Sequence, residues 1–183
     1  SKRWNFVLLN VKIKVRTKNK RAHGVLPKDL LEKIVVNAGV GRLSQQPNFA
    51  EKALQQVKKD IALITGQVPE ERSVKRSIAG FKVREGQVVG LRVTLRGKKM
   101  VDFFNRLVMI VLPRVRDFRG IDLTAVDQGG VLNIGIREQV VFSEINSEES
   151  TLVFPLQVNI VPRDKHRDAA IEIYRRFGVP LKK

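Results

Sequence analysis

The chain has 183 residues, of which 43% are hydrophobic, so it is long enough and apolar enough to form a globular domain with its own core. It contains no cysteine, which excludes disulfide bonds, thiol catalysis and cysteine-based zinc sites. Its formal net charge of +17 indicates a polyanionic partner such as nucleic acid, because basic side chains that neutralise phosphates release counterions.

The positive charge is concentrated in the first two thirds of the chain. Residues 1–120 carry 27 basic and 9 acidic residues, a net charge of +18, whereas residues 121–183 carry 8 and 9, a net charge of −1. We therefore predict that the nucleic-acid-binding surface is built from the first two thirds, and that the last third is scaffold or contacts another kind of partner.

The N-terminal segment, residues 1–25, is predicted to be a basic strand followed by a basic loop. Apolar residues alternate with Asn, Lys and Arg over residues 9–16, which is the period of a half-buried strand. Residues 16–24 are rich in Lys and Arg, and they either contact phosphate or form a solvated tail. Residues 26–183 are predicted to form a single nucleic-acid-binding domain.

The first elements of this domain are a strand over residues 30–37, β-branched at its centre, and a helix that ends at Thr65. Asn48, with Glu51 three residues later, matches a capping box at the start of the helix. Gly66 is the residue type that commonly follows a helix end.

The middle of the chain begins with residues 73–87, which mix bases and glycines without periodicity and are predicted to form a long, partly mobile loop. Residues 88–97 alternate apolar and polar side chains and are predicted to be a strand. A helix from Lys98 to Leu112 follows, and Pro113 is predicted to end it.

The last third is predicted to hold strands near residues 131–136, 138–143 and 152–161, and a final helix over residues 164–177 that Gly178 closes. This order of elements predicts an α+β fold, in which a mainly antiparallel sheet has helices packed on one face.

The other face of the sheet is predicted to be free and basic. By strand alternation its side chains are Lys33, Asn37, Arg92, Thr94 and Arg96. A polar, basic face with few aromatic residues favours RNA recognition through shape and backbone over recognition by base stacking.

No pattern in the sequence predicts catalysis. The glycines within residues 39–44 lack the third glycine of a dinucleotide-binding motif, and they are more typical of a turn. His23 and His166 are far apart in sequence, and the adjacent Glu148 and Glu149 resemble solvated acids rather than an acid/base pair. We predict that the chain is not an enzyme and has no cofactor or metal.

Five blocks of sequence nevertheless resemble one family. They occur in order and are LPKDLLEKIVVNAGVG, ITGQVP, SIAGFKVREGQVVGLRVTLRG, FFNRLVMIVLPRVRDFRGI and LNIGIREQVVFSEI. They resemble the bacterial-type family of large-subunit ribosomal protein number five, whose members hold 5S ribosomal RNA in the central protuberance. The resemblance covers most of the chain, from about residue 26 onward. It implies a structural protein of the cytoplasmic ribosome or, alternatively, of a mitochondrial or plastid ribosome.

The resemblance implies a 5S rRNA site on the free sheet face and its adjoining turns. Carried over position by position, its residues are Lys33, Asn37, Gly39, Gly41, Gln67, Thr94 and Arg96. Arg92 joins them through the strand alternation. Neutral Asn, Gln and Thr side chains suit hydrogen bonds to ribose and phosphate, and the basic residues supply net attraction.

Two further partners are implied by the same resemblance. The block that contains Gly80, Phe81, Lys82, Arg84 and Gly86 resembles the loop with which the family contacts the tRNA in the peptidyl site. The loop near residues 143–151 corresponds to the family's bridge toward a small-subunit head protein.

The segment PRVRDFRG is the family's most recognisable block and carries Arg114, Arg116 and Arg119. Phe118 is predicted to pack beneath it, and Asp117 to pair with one arginine. Its arginines either face large-subunit rRNA, with Arg114 and Arg116 the stronger candidates, or hold local structure.

Two features depart from the family. Residues 1–22 replace an amphipathic helix, and the block VDQGGVLN lacks the family's arginine. They leave open an organellar version whose 5S contact is lost or replaced. Apart from these departures, the rival functions are a free RNA chaperone or assembly factor and, against the prediction above, an RNA-processing enzyme.

Overall fold

The protein is described as a computed structural model that covers residues 27–41, 53–81, 83–146, 150 and 152–182. The predicted N-terminal strand and loop, the helix start at Asn48, and Lys82 lie outside the described residues. The division into a segment 1–25 and a domain 26–183 therefore stays a prediction.

Five strands and five α-helical segments make up the regular structure of the described residues. In chain order they are α1 (Pro27–Leu30), β1 (Leu31–Gly39), α2 (Leu54–Thr65), β2 (Glu70–Ser73), β3 (Val88–Leu95), α3 (Gly97–Arg106), α4 (Leu112–Arg114), β4 (Leu132–Ile136), β5 (Leu156–Pro162) and α5 (Arg167–Arg176). The strands form one sheet in the order β2-β3-β1-β5-β4, and every pairing between them is antiparallel.

One face of this sheet is apolar and carries the helices. In its rows of cross-strand neighbours, Ile34 lies opposite Leu95 on one side and Ile160 on the other. These residues are fully buried and belong to one hydrophobic cluster that also contains the inner faces of α2, α3 and α5. The α+β prediction is confirmed, because period-two alternation in the strands leaves a single face to be buried.

Helix α2 ends as predicted. Gly66 adopts a left-handed conformation with φ of 66°, and its backbone N–H donates to Ala62 O. A residue with a Cβ would be strained at this φ, which is why glycine commonly closes helices.

Helix α3 and the π-helical turn that follows it, Leu107–Val111, present the predicted core face, whose members are all buried: Met100, Phe103, Phe104, Leu107, Val108 and Val111. The predicted end before Pro113 is wrong, because the helix continues through a π-helical turn, Leu107–Val111, into α4. In that turn the Leu112 N–H donates to Leu107 O. A wider turn of this kind accommodates the hydrogen bond that a proline cannot donate.

Two strand predictions differ from the structure. Strand β2 was not predicted, because all four of its residues are exposed and show no alternation. Residues 138–143 do not form a strand; Gln139–Val141 is a 3₁₀ turn instead. The side chain of Gln139 is fully buried there and accepts a hydrogen bond from the Phe154 N–H at 2.9 Å. A buried glutamine amide thus replaces strand pairing in this segment.

Candidate nucleic-acid interface

The sheet face opposite the helices, called the open face below, collects most of the predicted 5S site. Lys33, Asn37 and Gly39 lie on it in β1, and Arg92 and Thr94 lie on it in β3. Asn37 is directly opposite Arg92 in the antiparallel register. The structure thus brings together residues that are more than fifty positions apart in sequence.

The remaining predicted residues lie at the ends of this face. Arg96 is exposed and directly follows β3. Gln67 is exposed in the turn after α2, and Lys99 Nζ donates to Gly66 O at 2.8 Å, which holds that turn beside the start of α3. At the other end of β1, Gly41 follows Val40, whose N–H donates to Val89 O at 2.9 Å.

Three further strands extend the open face with residues that the sequence patterns did not reveal. They are Glu70 and Arg72 on β2, Gln157 and Asn159 on β5, and Asn133 and Gly135 on β4. Alternation in β5 could have predicted that Gln157 and Asn159 share a polar face, since they alternate with three buried apolar residues. The alternation does not predict that β5 lies beside β1 in the sheet.

An amide ladder crosses three strands of the open face. Asn37 Nδ2 donates to Asn159 Oδ1 at 2.8 Å, and Asn159 Nδ2 donates to Asn133 Oδ1. Asn133 Nδ2 in turn lies 3.3 Å from the backbone carbonyl oxygens of Ala125 and Val131. The ladder holds all three amides in defined orientations.

Cationic side chains occupy the β2–β3 side of the open face. The Glu70 carboxylate receives hydrogen bonds from Arg72 at 2.9 Å and from Arg92 at 3.2 Å. All three side chains are more than 40% exposed, so these ion pairs contribute little to stability and the arginines stay available to phosphate. The Nε atom of Arg92 is buried and has no hydrogen-bond partner among the described residues.

A groove at one end of the open face is lined in part by glycines. Gly39 lies opposite Gly90, and Gly135 is on β4 two strands away. The groove has a volume of about 760 Å³, and its rim includes Arg72 and Arg137. A Cβ atom built at Gly39 or Gly135 would meet no atom within 4 Å. Glycine at such positions permits close approach of another molecule's backbone.

The predicted tRNA-contacting residues lie on a hairpin rather than in an irregular loop. Val74 N–H donates to Gln87 O at 2.9 Å, and an isolated bridge pairs Ile78 with Val83. This 74–87 hairpin extends β2 and β3 beyond the sheet. Gly80 and Arg84 are exposed on it, and Gly86 has φ of 81°. Of Phe81 the structure describes the backbone, and Lys82 lies outside the described residues.

The arginines of the segment PRVRDFRG form an exposed corner, called the arginine corner below, whose members are Arg114, Arg116 and Arg119. Phe118 is half-buried against the core, as predicted. The predicted ion pair of Asp117 is wrong, because this carboxylate pairs with no cation of the described chain and its residue adopts a left-handed φ of 54°. A groove of about 1060 Å³ separates the arginine corner from residues 135–145.

Other kinds of site were sought within the described parts of the chain. There, no three His, Asp or Glu side chains are grouped in a way that could hold a metal ion. Over the same residues, no helix is both long and apolar enough to cross a membrane.

An antiparallel sheet with helices on one face, and a polar, cationic opposite face that no described element covers, is typical of a nucleic-acid-binding α+β protein. Two family models match this chain: "Ribosomal protein L5" over residues 30–84, and the C-terminus of the same ribosomal family over residues 88–181. The chain belongs to the ribosomal protein L5 family, which confirms the resemblance found in the sequence. Members are structural components of the ribosome, so the prediction that the chain is not an enzyme also holds.

Curated relatives agree with this membership. A protein of Chlorobaculum tepidum is 42% identical over 153 residues, which cover 84% of this chain and 81% of the relative. One of Rubrobacter xylanophilus is 45% identical, with 83% and 82% covered, and one of Halothermothrix orenii is 43% identical, with 82% of each covered. All three are named "Large ribosomal subunit protein uL5".

Proposed function

We propose that the chain is a structural component of the large ribosomal subunit that binds 5S rRNA with its open face. The names of its bacterial relatives support the assignment to the large subunit and to a cytoplasmic ribosome, ahead of an organellar one. The observation that carries the 5S proposal is the open face itself, which sets amides, a threonine and cations beside a groove lined by glycines.

The chemistry of the open face suits a folded RNA. Asn37, Asn159 and Gln157 offer both donors and acceptors, whereas Arg72 and Arg92 offer only donors and positive charge. The strands expose no aromatic ring on this face among the described residues, so bases have no stacking platform there. Contacts to ribose and phosphate, which fix position and read shape, are the mode that remains.

Two other surfaces complete the proposal. The 74–87 hairpin projects from the sheet with Arg84 exposed, and it contacts the backbone of the tRNA in the peptidyl site. The arginine corner contacts large-subunit rRNA, with Arg114 and Arg116 the stronger candidates. All three of its guanidinium groups are exposed and lack an acidic partner among the described residues, so they are available to phosphate.

Residues 143–151 form the bridge to a small-subunit head protein in this proposal. The charge of the last third supports a protein partner, because its net charge of −1 offers little attraction to RNA. The described part of this segment is held by the Arg106–Glu144 ion pair and by a hydrogen bond from the Ser150 N–H to Asn146 O.

The test is a filter-binding titration against the 5S rRNA of the same organism and an unrelated RNA of equal length, over a series of salt concentrations. We expect 5S rRNA to bind more tightly by a margin that survives salt. Asn37→Ala and Thr94→Ala should each cost about 1–3 kcal/mol, which is the range for losing a buried hydrogen bond. Ser143→Ala, an exposed position off the open face, is the control.

Equal binding of the two RNAs, with salt abolishing both, would refute the 5S proposal. In that case the net charge of +17 alone would account for binding. Sedimentation of cell extracts distinguishes a ribosomal component from a free RNA-binding factor. A large-subunit component remains with the subunit at high salt, whereas a chaperone or assembly factor leaves a free pool.

A further inference from the structure

The amide ladder of the open face has a fixed direction. Asn133 Nδ2 faces the backbone carbonyl oxygens of Ala125 and Val131, each at 3.3 Å, and carbonyl oxygens can only accept hydrogen bonds. The Asn133 amide therefore cannot turn over without placing its own oxygen against theirs. Its Oδ1 must point to Asn159, which is where the structure has it.

The fixed orientation of the Asn133 amide also determines how the amides of Asn159 and Asn37 are oriented. With Asn133 fixed, Asn159 must donate through Nδ2, which leaves Asn159 Oδ1 to accept from Asn37 Nδ2 at 2.8 Å. Asn37 Oδ1 is then the free end of the ladder. It accepts no hydrogen bond from any described residue, although the Asn37 side chain lines the groove of the open face.

A free carbonyl oxygen at this position selects for a donor. Phosphate oxygens carry no hydrogen at neutral pH, so they cannot satisfy Asn37 Oδ1, whereas a ribose 2′-hydroxyl or a base amino group can. The second Nδ2 hydrogen of Asn37 remains available as a donor, but Asn37 Oδ1 can only accept a hydrogen bond. Donation to Asn159 also polarises the Asn37 amide, which strengthens its oxygen as an acceptor.

We propose that the amide ladder orients Asn37 so that its Oδ1 accepts a hydrogen bond from a ribose 2′-hydroxyl or an exocyclic base amine of the bound RNA. Asn37 is the contacting residue, and Asn159 and Asn133 are positioning residues that act through it. This inference rests on the proposed function, because it assumes that the open face is the RNA site.

The experiment is analogue interference with the full chain and 5S rRNA transcripts. One transcript pool carries scattered 2′-deoxynucleotides, and another carries inosine or purine riboside, which lack the exocyclic amines. For the wild type we expect at least one position where one type of analogue weakens binding roughly two- to tenfold, the range of a single hydrogen bond. Which pool shows the effect tells whether the donor is the hydroxyl or the amine.

The variants identify the side chain that makes this contact. Asn37→Ala and Asn159→Leu should both lose the interference at the same nucleotide, and the double variant should bind no more weakly than Asn37→Ala alone. Asn133→Leu breaks the ladder from its far end and should behave like Asn159→Leu. Gln157→Leu is the matched comparison, since Gln157 lies on the same strand and face as Asn159 but outside the ladder. Whatever it costs in overall affinity, this variant should keep the interference at the nucleotide that Asn37 contacts. A thermal melt of each variant identifies any that fails to fold.

Three outcomes would overturn the proposal in different ways. If Asn159→Leu and Asn133→Leu keep the interference that Asn37→Ala loses, the ladder does not position Asn37. If Asn37→Ala weakens binding but no analogue interference depends on it, Asn37 Oδ1 does not accept a hydrogen bond from a ribose 2′-hydroxyl or a base amine. If Asn37→Ala, Arg92→Ala and Thr94→Val all bind like the wild type, the open face is not the RNA site, and the proposed function fails with the inference.

Discussion

The Ser150 hydroxyl donates a 2.7 Å hydrogen bond to Asp60 Oδ2, joining positions that are 90 residues apart in sequence. Both residues are buried, and each has a second partner: Gln139 Nε2 donates to Ser150 Oγ at 3.2 Å, and Gln56 Nε2 donates to Asp60 Oδ1 at 2.8 Å. Buried carboxylates are costly unless their oxygens are satisfied, so this network fastens the segment after residue 142 to α2.

Ser150→Ala is therefore expected to destabilise the protein. It removes the hydroxyl that satisfies Asp60 Oδ2 and leaves that oxygen buried without a donor, which costs about 1–3 kcal/mol in the free energy of unfolding. Urea denaturation measures the change. Ser143→Ala is the matched control, because Ser143 is exposed and bonds only its neighbour Glu144, and we expect its effect to stay within about 0.5 kcal/mol. Equal effects for the two variants would contradict the role of the network.

Tyr174 gives the fold a sensitivity to alkaline pH. Its phenol is fully buried and donates to Gly130 O at 2.7 Å, with Ile160 O at 3.0 Å. Desolvation by burial raises the pKa of Tyr174 well above its ordinary value of about 10, and the Asp127 charge adds to this against an opposing backbone hydrogen bond. The unfolded chain thus loses this proton before the folded chain does, so its contribution to stability is complete below about pH 10 and declines above it.

The comparison of wild type with Tyr174→Phe tests the direction of this pH dependence of stability. At about pH 8 the variant should be less stable by about 1–2 kcal/mol, because it loses the hydroxyl and its hydrogen bond. Above about pH 10 the gap should narrow, since only the wild type is penalised for keeping a neutral phenol. Urea denaturation of both proteins over this range gives the difference directly, and a gap that stays constant or widens with pH would contradict the prediction.

Gly130 is predicted to tolerate no side chain. Its φ is +77°, and a Cβ would lie 2.8 Å from Ala170 Cβ and 3.2 Å from Pro162 Cγ. Gly130→Ala should lower the free energy of unfolding by roughly 2–5 kcal/mol. This is the sum of the cost of a left-handed φ for alanine and the cost of overpacking the core. Gly178→Ala separates the two causes: Gly178 has φ of +78° but open space around it, so its cost should be about 1–2 kcal/mol. Thermal or urea unfolding should rank the two variants in this order.

Much of the open face could be predicted from the sequence because it depends on local alternation. Within one strand, period-two patterning fixes which side chains share a face, so Lys33 and Asn37 in β1, and Arg92 and Thr94 in β3, were grouped correctly. Which strands then become neighbours depends on tertiary packing, which alternation does not encode. The ladder partner Asn159 is 122 residues from Asn37 and was missed for that reason.

The wrong predictions from the sequence concern features that the pattern of residue types does not encode, namely which polar groups become buried, which exposed segments pair, and which neighbouring charges meet. Gln139 is fully buried inside a segment that was predicted to be a strand, and β2 forms with four exposed residues and no apolar pattern at all. Asp117 stands among three arginines but is exposed and left-handed, so proximity in sequence did not produce an ion pair.

The glycine groove gives a prediction in which stability and binding separate. Gly135 is exposed on β4, and a Cβ there would meet nothing within 4 Å, so Gly135→Val should leave the free energy of unfolding unchanged or raise it by up to about 1 kcal/mol. The valine would occupy the space that an RNA backbone needs, and we expect 5S rRNA affinity to fall about tenfold, equivalent to about 1.4 kcal/mol. Unfolding and filter-binding measurements on one preparation test both parts, and unchanged affinity would exclude the groove from the RNA site.

The two cross-strand neighbours of β1, Arg92 and Thr94, should affect binding in different ways. Arg92 brings positive charge on a side chain that is 42% exposed, so we assign it to a phosphate; Thr94 brings only a hydroxyl. Arg92→Ala should reduce the slope of log affinity against log salt by about 1, because one fewer counterion is released. Thr94→Val should weaken binding by about 1 kcal/mol at every salt concentration, since a neutral hydrogen bond releases no ions. Filter binding of both variants across one salt series distinguishes the two roles, and parallel slopes would mean that Arg92 contacts no phosphate.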